Sequence, residues 1–296
     1  MQIQSYQVGD LPLLGQVLGQ SGLVDLVDGH YPTHPNRQGP SVGKTVLIWL
    51  MYIISQNDHR LSHVQDWVEQ SLEVLRWVCQ EPQLEASHLS DDYLGSLLER
   101  FSCSTCWAAY EAQQNKRLLQ VYQLDQSIVR LDATQVTSFR PAGGLFQRGH
   151  SKQRRSDLPQ LKLMLASVDP LSLPLASYVV SGQRADDGLY IPIIEQARQS
   201  LASHGLLYVG DTKLGNQANF SHLARSQNLY LCPLSLRQFG EQPLQQAIDS
   251  ALQDSQKIQS VYQQDQLIAQ LYELPERLLS DAEQSFEWTQ RHILVK

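Results

Sequence analysis

The sequence predicts an α/β chain in two parts: a helical N-terminal domain followed by a mixed α/β core. Three observations carry that reading. No strand-like alternation occurs before Tyr122. Beyond it, short β-branched runs cluster first and then alternate with segments of helical period, an order that suits a mixed α/β layer. The 296 residues, 42% of them hydrophobic, can bury a core shared by one large or two modest domains. The boundary is expected near residue 122, giving parts 1–121 and 122–296.

In the first part, Asp10-Leu-Pro-Leu-Leu-Gly-Gln-Val-Leu18 opens a short amphipathic stretch. A loop rich in Pro and Asn follows, Tyr31-Pro-Thr-His-Pro-Asn-Arg-Gln-Gly-Pro40. Ser41 reads as the N-cap of a strongly apolar helix reaching about Gln56. Leu61, Val64, Trp67, Val68, Leu72, Leu75 and Val78 keep helical spacing and predict one helix over 61–78. Two more helices are expected, at about Asp91 to Phe101 and Cys106 to Leu118.

In the second part, Ser127–Asp132, Gln160–Asp169 and Leu175–Ser181 read as strands. Asp186 to about His204 reads as a helix with Leu189, Ile193, Ile194, Ala197 and Leu201 on one face. Leu206–Asp211 is a further strand, Asn216–Ser226 a helix, and Leu229–Pro233 a strand. The segment 241–270 holds ten Gln, yet Leu244, Ala247, Ile248, Ala251 and Leu252 keep helical spacing, so a polar-faced helix is expected. Phe286–Val295 alternates as a single strand would.

Composition excludes several classes. Charged residues are 18%, below the usual quarter (about 25%), so the chain is not charge-solvated and disordered. The longest apolar run, Val46–Ile54, is half of the roughly eighteen residues a membrane span needs. The N-terminus lacks the basic and apolar regions of a secretory signal. Four cysteines make no disulfide framework in a chain this long, so a cytoplasmic location is expected. Net charge is 23 − 30 = −7, but 140–162 holds six basic residues (Arg140, Arg148, Lys152, Arg154, Arg155, Lys162) against Asp157 alone. That segment carries +5 on a body of −12, and a local basic patch can hold a polyanion.

Three motifs have plainer readings. Gly39-Pro-Ser-Val-Gly43-Lys44-Thr45 lacks the first glycine of a phosphate-binding loop and has no preceding strand, so it reads as a helix N-cap. Cys103-Ser-Thr-Cys106 has no second ligand pair for zinc and reads as buried thiols at a helix start. His59 and His63 are four apart but lack the Glu and third ligand of a zinc hydrolase. Two aspartates are more informative. Asp132 and Asp211 each end an apolar strand, and acids at the carboxyl ends of neighbouring strands line a crevice where hard oxygens could share a divalent cation. Capping a following element is the competing role for both.

The segment Arg130-Leu-Asp132-Ala-Thr-Gln-Val-Thr-Ser-Phe139 is followed by Arg148-Gly-His-Ser-Lys152-Gln-Arg-Arg155-Ser-Asp157-Leu-Pro-Gln160. The second stretch resembles the Gly-Tyr-Ser-Lys-x-x-Arg-x-Asp-Leu-x-Gln block of DDE-type insertion-sequence transposases. Val180-Ser-Gly182-Gln-Arg-Ala-Asp186 resembles the Gly-Asn-x-x-Asp block, and Asp211-Thr-Lys-Leu-Gly-Asn-Gln-Ala-Asn219 the Asp-x-x-Leu-x-x-x-x-Asn block. In the first part, Asp91-Asp92-Tyr-Leu-Gly95-x-x-Leu98 is similar to the family's Asn-Asp-Asp-x-Leu-Gly-x-x-Leu signature.

The resemblance implies an RNase H-like core and a helical leader domain that contacts DNA ends or a partner subunit. It implies Asp132 and Asp211 as catalytic acids and ligands of Mg²⁺ (or Mn²⁺). It also implies Arg148, Lys152, Arg154 and Arg155 as contacts to DNA backbone at terminal inverted repeats, in a homodimer on DNA, with no membrane partner. The family's third acid lies in a Tyr-x-x-Arg-x-x-x-Glu-x-x-x-x-x-x-Lys motif that this sequence does not contain. The expectation is therefore an incomplete RNase H-like core lacking its C-terminal portion. The rivals are a non-catalytic remnant that binds element ends or regulates transposition, and a two-carboxylate phosphoesterase.

Overall fold

A computed structural model describes residues 8–151, 154–201, 204–254, 257–281 and 285–295. The chain divides into two compact units, 1–124 and 125–296.

The first unit is helical: α1 (Leu11–Gln20), α2 (Leu23–His30), α3 (Val42–Gln56), α4 (Val64–Gln70), α5 (Leu72–Val78), α6 (Asp91–Phe101) and α7 (Ser104–Val121). Its core gathers around α3. Ile48 and Met51 are fully buried and pack with Leu11, Leu75, Leu94 and Leu97. Ser41 caps α3 as its sequence suggests, accepting from Lys44 N at 3.2 Å. Asp28 extends the cap by accepting from Ser41 Oγ at 2.6 Å and Gly43 N at 2.7 Å. Gly43 serves a helix crossing, not a phosphate: a Cβ there would sit 2.3 Å from Val24 O.

Two expectations are corrected here. The helix expected over 61–78 is a 3₁₀ turn (Leu61–His63) followed by α4 and α5, which part at Ser71, where φ is −108° and ψ 11°. Apolar spacing runs smoothly across Ser71 and so could not report the bend. The thiols of Cys103 and Cys106, expected to be buried, are exposed at the start of α7.

The second unit is mixed α/β. Its main sheet has five strands in the order β3-β2-β1-β4-β5. These are β1 (Ile128–Thr137), β2 (Gln160–Val168), β3 (Leu173–Ser181), β4 (Leu207–Val209) and β5 (Leu229–Leu231), with α8 (Tyr190–Arg198) and α9 (Gln217–Arg225) in the crossovers. β1, β2 and β3 are antiparallel neighbours, while β4 and β5 run parallel to β1. Helix α8 begins four residues later than expected, after a 3₁₀ turn at Asp187–Leu189. Pro192 explains the delay: it has no N–H to offer and is tolerated only in a first helical turn.

Beyond the sheet come α10 (Leu236–Phe239), α11 (Glu241–Gln253), β6 (Gln259–Gln263), β7 (Gln266–Glu273), β8 (Arg277–Asp281), β9 (Phe286–Gln290) and β10 (Ile293–Val295). The helix expected through 270 therefore stops at Gln253. A hairpin takes over at Gln264-Asp265, where both φ values are positive, 49° and 62°, as a tight primed turn requires. The single strand expected over 286–295 is two strands in different sheets. β9 pairs with β8, and β10 pairs with β7. Tyr230 ties the β8–β9 pair to β5, its hydroxyl accepting from Trp288 Nε1 at 2.9 Å and Gln290 Nε2 at 3.1 Å.

Gly43→Ala should cost about 1–3 kcal/mol, because the new methyl meets backbone that cannot step aside. A Cβ at Gly95, in mid-α6, meets nothing within 4 Å. Gly95→Ala should therefore add about 0.5–1 kcal/mol of helix stability. Urea unfolding of both variants beside the wild type checks the opposite signs.

Candidate active site

β1 has partners on both sides, and the register on its parallel side sets the site. Ile128, Val129 and Arg130 pair with Leu207, Tyr208 and Val209. Asp132 and Asp211 each lie two residues beyond the last of these pairs, and the charges of both act on the Tyr190 hydroxyl. Asp132 does not end its strand, as had been expected. β1 continues to Thr137 because β2 pairs with it all the way, Asp132 opposite Leu165 and Thr137 opposite Gln160. β4 does end, at Val209, so beside Asp132 the sheet has no neighbour on that side. Alternation buries Val129, Leu131 and Ala133 and turns the exposed Asp132 to the other face. The Asp132 carboxylate makes no hydrogen bond or ion pair among the described residues, since Arg130 on the same face is held by Asp169 at 2.7 Å.

Asp211 sits in a built turn. Its Oδ1 accepts from Lys213 N at 2.8 Å, and its carbonyl accepts from Leu214 N at 3.1 Å. Leu214 and Asn219 are buried, and Asn219 Nδ2 donates to Leu214 O at 3.2 Å, closing the loop onto α9. A Cβ on Gly210 would lie 3.0 Å from Leu214 and 3.4 Å from the Tyr190 ring, so the approach to Asp211 is close-packed.

Tyr190, fully buried on α8, donates its hydroxyl to Asp211 Oδ1 at 2.5 Å. Burial first, then the bond to Asp211 and the negative charges of Asp211, Asp132 and Asp186, push this phenol far above its ordinary range, so it stays a donor. Sequence reasoning passed over Tyr190. Its only sequence signal was its place one residue beside the apolar positions of α8, where a buried Tyr must find a partner for its hydroxyl.

Two blocks of the sequence, 148–160 and 180–186, meet in the same unit. A Cβ on Gly182 would fall 1.9 Å from Gln160 O, and one on Gly149 would fall 2.4 Å from Gly182 O. Three segments therefore cross at backbone contact. Gln160, fully buried, fastens the crossing by donating to His150 O at 2.8 Å. Lys162 is only 5% exposed and donates to Asp186 Oδ1 at 2.5 Å and Arg184 O at 2.6 Å.

That burial corrects the basic patch: Lys162 is not part of it, because Asp186 neutralises it inside the fold. Arg155 is also matched, in a two-pronged pair with Asp157 at 2.9 and 2.8 Å. Arg148 and Arg154 are exposed and make no side-chain hydrogen bond or ion pair among the described residues. Lys152 lies outside the described residues.

The arrangement offers hard carboxylate oxygens on β1 and just beyond β4, a donor that orients one of them, and exposed guanidinium groups on a loop of the same unit. Asp132 and Asp211 suit a single divalent cation in donor type. Among the described residues, no group of three or more His, Cys, Asp or Glu side chains is set to hold a metal. No helix among them is long and apolar enough to cross a membrane.

No protein-family model matches the chain, and no curated protein matches it. Among solved structures, it is similar to a piggyBac transposase synaptic complex with hairpin DNA at 10% identity and a TM-score of 0.42, covering 88% of this chain and 57% of that one. A Mos1 transposase paired-end complex with the left transposon end matches at 11% identity and a TM-score of 0.27, covering 72% of this chain and 76% of that one. A pre-cleavage Mos1 transpososome matches at 11% identity and a TM-score of 0.27, covering 83% and 85%. At such scores neither a shared fold nor a shared activity follows.

Lys162→Met should cost about 3–5 kcal/mol, since it leaves the Asp186 carboxylate without its partner in a mostly buried place. Arg155→Ala, at the exposed pair, should cost less than about 1 kcal/mol. Tyr190→Phe should cost about 1.5–3 kcal/mol through the lost bond to Asp211. Urea midpoints of the three variants test this order.

Proposed function

We propose that the chain is a DDE-type insertion-sequence transposase with an RNase H-like core. In this reading Asp132 and Asp211 hold Mg²⁺ or Mn²⁺, and the chain works as a homodimer on the terminal inverted repeats of its element. The observation that carries the reading is the end of the β1–β4 pairing at Arg130 and Val209, two residues short of an unpaired carboxylate on one strand and an oriented one beyond the other. Its second support is that two of the blocks on which the family resemblance rests, 148–160 and 180–186, cross at backbone contact.

The bound cation would draw charge from phosphate oxygens and help an attacking oxygen into line. The chain's own residues do the rest. Tyr190 fixes the rotamer of Asp211, and the guanidinium groups of Arg148 and Arg154 lie along the DNA backbone with Lys152. Their contacts are to phosphate, not to bases.

Non-catalytic binding of element ends is the second reading. It is favoured by the commitment of Asp186 to Lys162, which takes a nearby third acid away from any cation. The two readings part in one experiment on the full chain with DNA carrying the element's ends. Nicking that needs Mg²⁺ or Mn²⁺ and vanishes in Asp132→Ala supports the transposase. End binding without nicking supports the regulator, and neither binding nor nicking sinks both.

Mn²⁺ should raise the melting temperature of the wild type and not that of Asp132→Ala. Replacing Arg148 and Arg154 by Ala should weaken binding to every DNA sequence alike and lower the salt slope by about 0.9 per lost phosphate contact. A loss confined to one sequence would contradict the backbone role.

A further inference from the structure

We propose that Cys103 and Cys106 form a redox-active dithiol that closes to a disulfide by exchange with a low-molecular-weight disulfide such as oxidised glutathione. This inference concerns the first unit and stands apart from the transposase reading.

Cys103 is the N-cap of α7 and Cys106 its third residue. Side chains three apart at a helix start lie on one side, with Cβ atoms about 5–6 Å apart, so a bridge needs little movement. Both thiols are exposed. Cys103 Sγ lies 3.4 Å from Thr105 Oγ1 and is in hydrogen-bond contact with the Cys106 thiol. Contact with Cys106 first, and Thr105 second, draws the Cys103 thiol down to about 7, while the same contact pushes Cys106 up. The roles follow: Cys103 is the nucleophile and Cys106 the resolving thiol.

The other two cysteines supply an internal contrast. Cys79 is buried and Cys232 half-buried, and burial pushes each thiol up to about 11, so neither is a nucleophile near neutrality. A second observation points to the same place. Tyr31 is 4% exposed, and its buried hydroxyl has no hydrogen-bond partner in the structure. Burial first, then the charges of Cys106 and Cys103, raise its pKa, so this unsatisfied donor lies within electrostatic reach of both sulfurs. The Phe101 ring packs on Tyr31 at 4.7 Å and completes an apolar flank.

The exchange has two steps. The Cys103 thiolate attacks one sulfur of the small disulfide, forms a mixed disulfide and expels one thiolate, which takes up a proton. Cys106 then loses its proton and attacks Cys103 Sγ, forming the protein disulfide and releasing the second thiol. Two protein thiols are oxidised and one small disulfide is reduced to two thiols.

The test treats the native full chain with oxidised glutathione near neutrality, traps free thiols by alkylation and maps the peptides. The wild type should carry a Cys103–Cys106 disulfide, with Cys79 and Cys232 still reduced. Cys106→Ser should stop at a stable mixed disulfide on Cys103. Cys103→Ser should leave Cys106 at least about tenfold slower to react. Alkylation of wild-type Cys103 should reach half its maximal rate near pH 7 and level off above it, whereas an ordinary thiol is half-maximal near about 8.5. The wild type needs no variant to fold, so its result decides the matter. Thiols that stay reduced, mixed disulfides that persist in the wild type, or an ordinary Cys103 profile would each overturn the proposal.

Discussion

The second unit depends on the fact that β1 is paired on both sides over unequal lengths. On its antiparallel side β2 follows it for nine residue pairs, and on its parallel side β4 follows it for three. The short partner leaves Asp132 beside an open flank while the long partner keeps its backbone satisfied. A carboxylate can thus stand in the middle of a central strand without a buried unpaired backbone group around it. Extending β4 by two residues would cover the flank, and Gly210 and the Asp211 turn bring β4 to its end.

Three buried polar pairings then hold this arrangement together, although Gln160 Oε1 itself has no partner. Lys162 is neutralised by Asp186, Gln160 reaches His150 O, and Tyr190 reaches Asp211. The Lys162–Asp186 ion pair adds little net stability when complete but costs several kcal/mol (about 3–5) when one partner is removed, and the single hydrogen bonds cost about 1–3 kcal/mol. They act more as registration devices than as glue. Gln160 and Lys162 are one alternation apart on β2, so a slip of one residue would expose both and bury Leu161 and Leu163 in their place. The glycines at 149 and 182 belong to the same device, since no side chain fits where the three segments cross.

The helical unit solves a different problem. Its core is mostly apolar and gathered around one helix, with Thr45 and Asn115 buried inside α3 and α7. Thr33, Asp28 and Ser41 satisfy the first three N–H groups of α3 in turn. At the start of α7, two thiols occupy the N-cap and third positions, where the exposed Cys103 is eased toward ionisation while buried Cys79 resists it. Position on the fold, not residue type, separates reactive from inert sulfur.

Much of this was legible in the amino-acid sequence. Apolar period alone marked the all-helical first part, the strands β1, β2 and β3, and the alternation of strands and helices after Asp186. The residue pattern also singled out Asp132 and Asp211 and read Ser41 as a helix cap. Breaks that leave the period undisturbed were not legible: the bend at Ser71, the delayed start of α8, and the division of 286–295 between two sheets. Each is decided by partners distant in sequence, and a local pattern does not record them. Charge had the same limit. Six basic residues between 140 and 162 looked alike in sequence. The fold buried Lys162 on Asp186, paired Arg155 with Asp157, and left Arg148 and Arg154 facing water. Whether a charge is a ligand-facing group or an internal counter-ion depends on what folds against it, and only the tertiary structure supplies that.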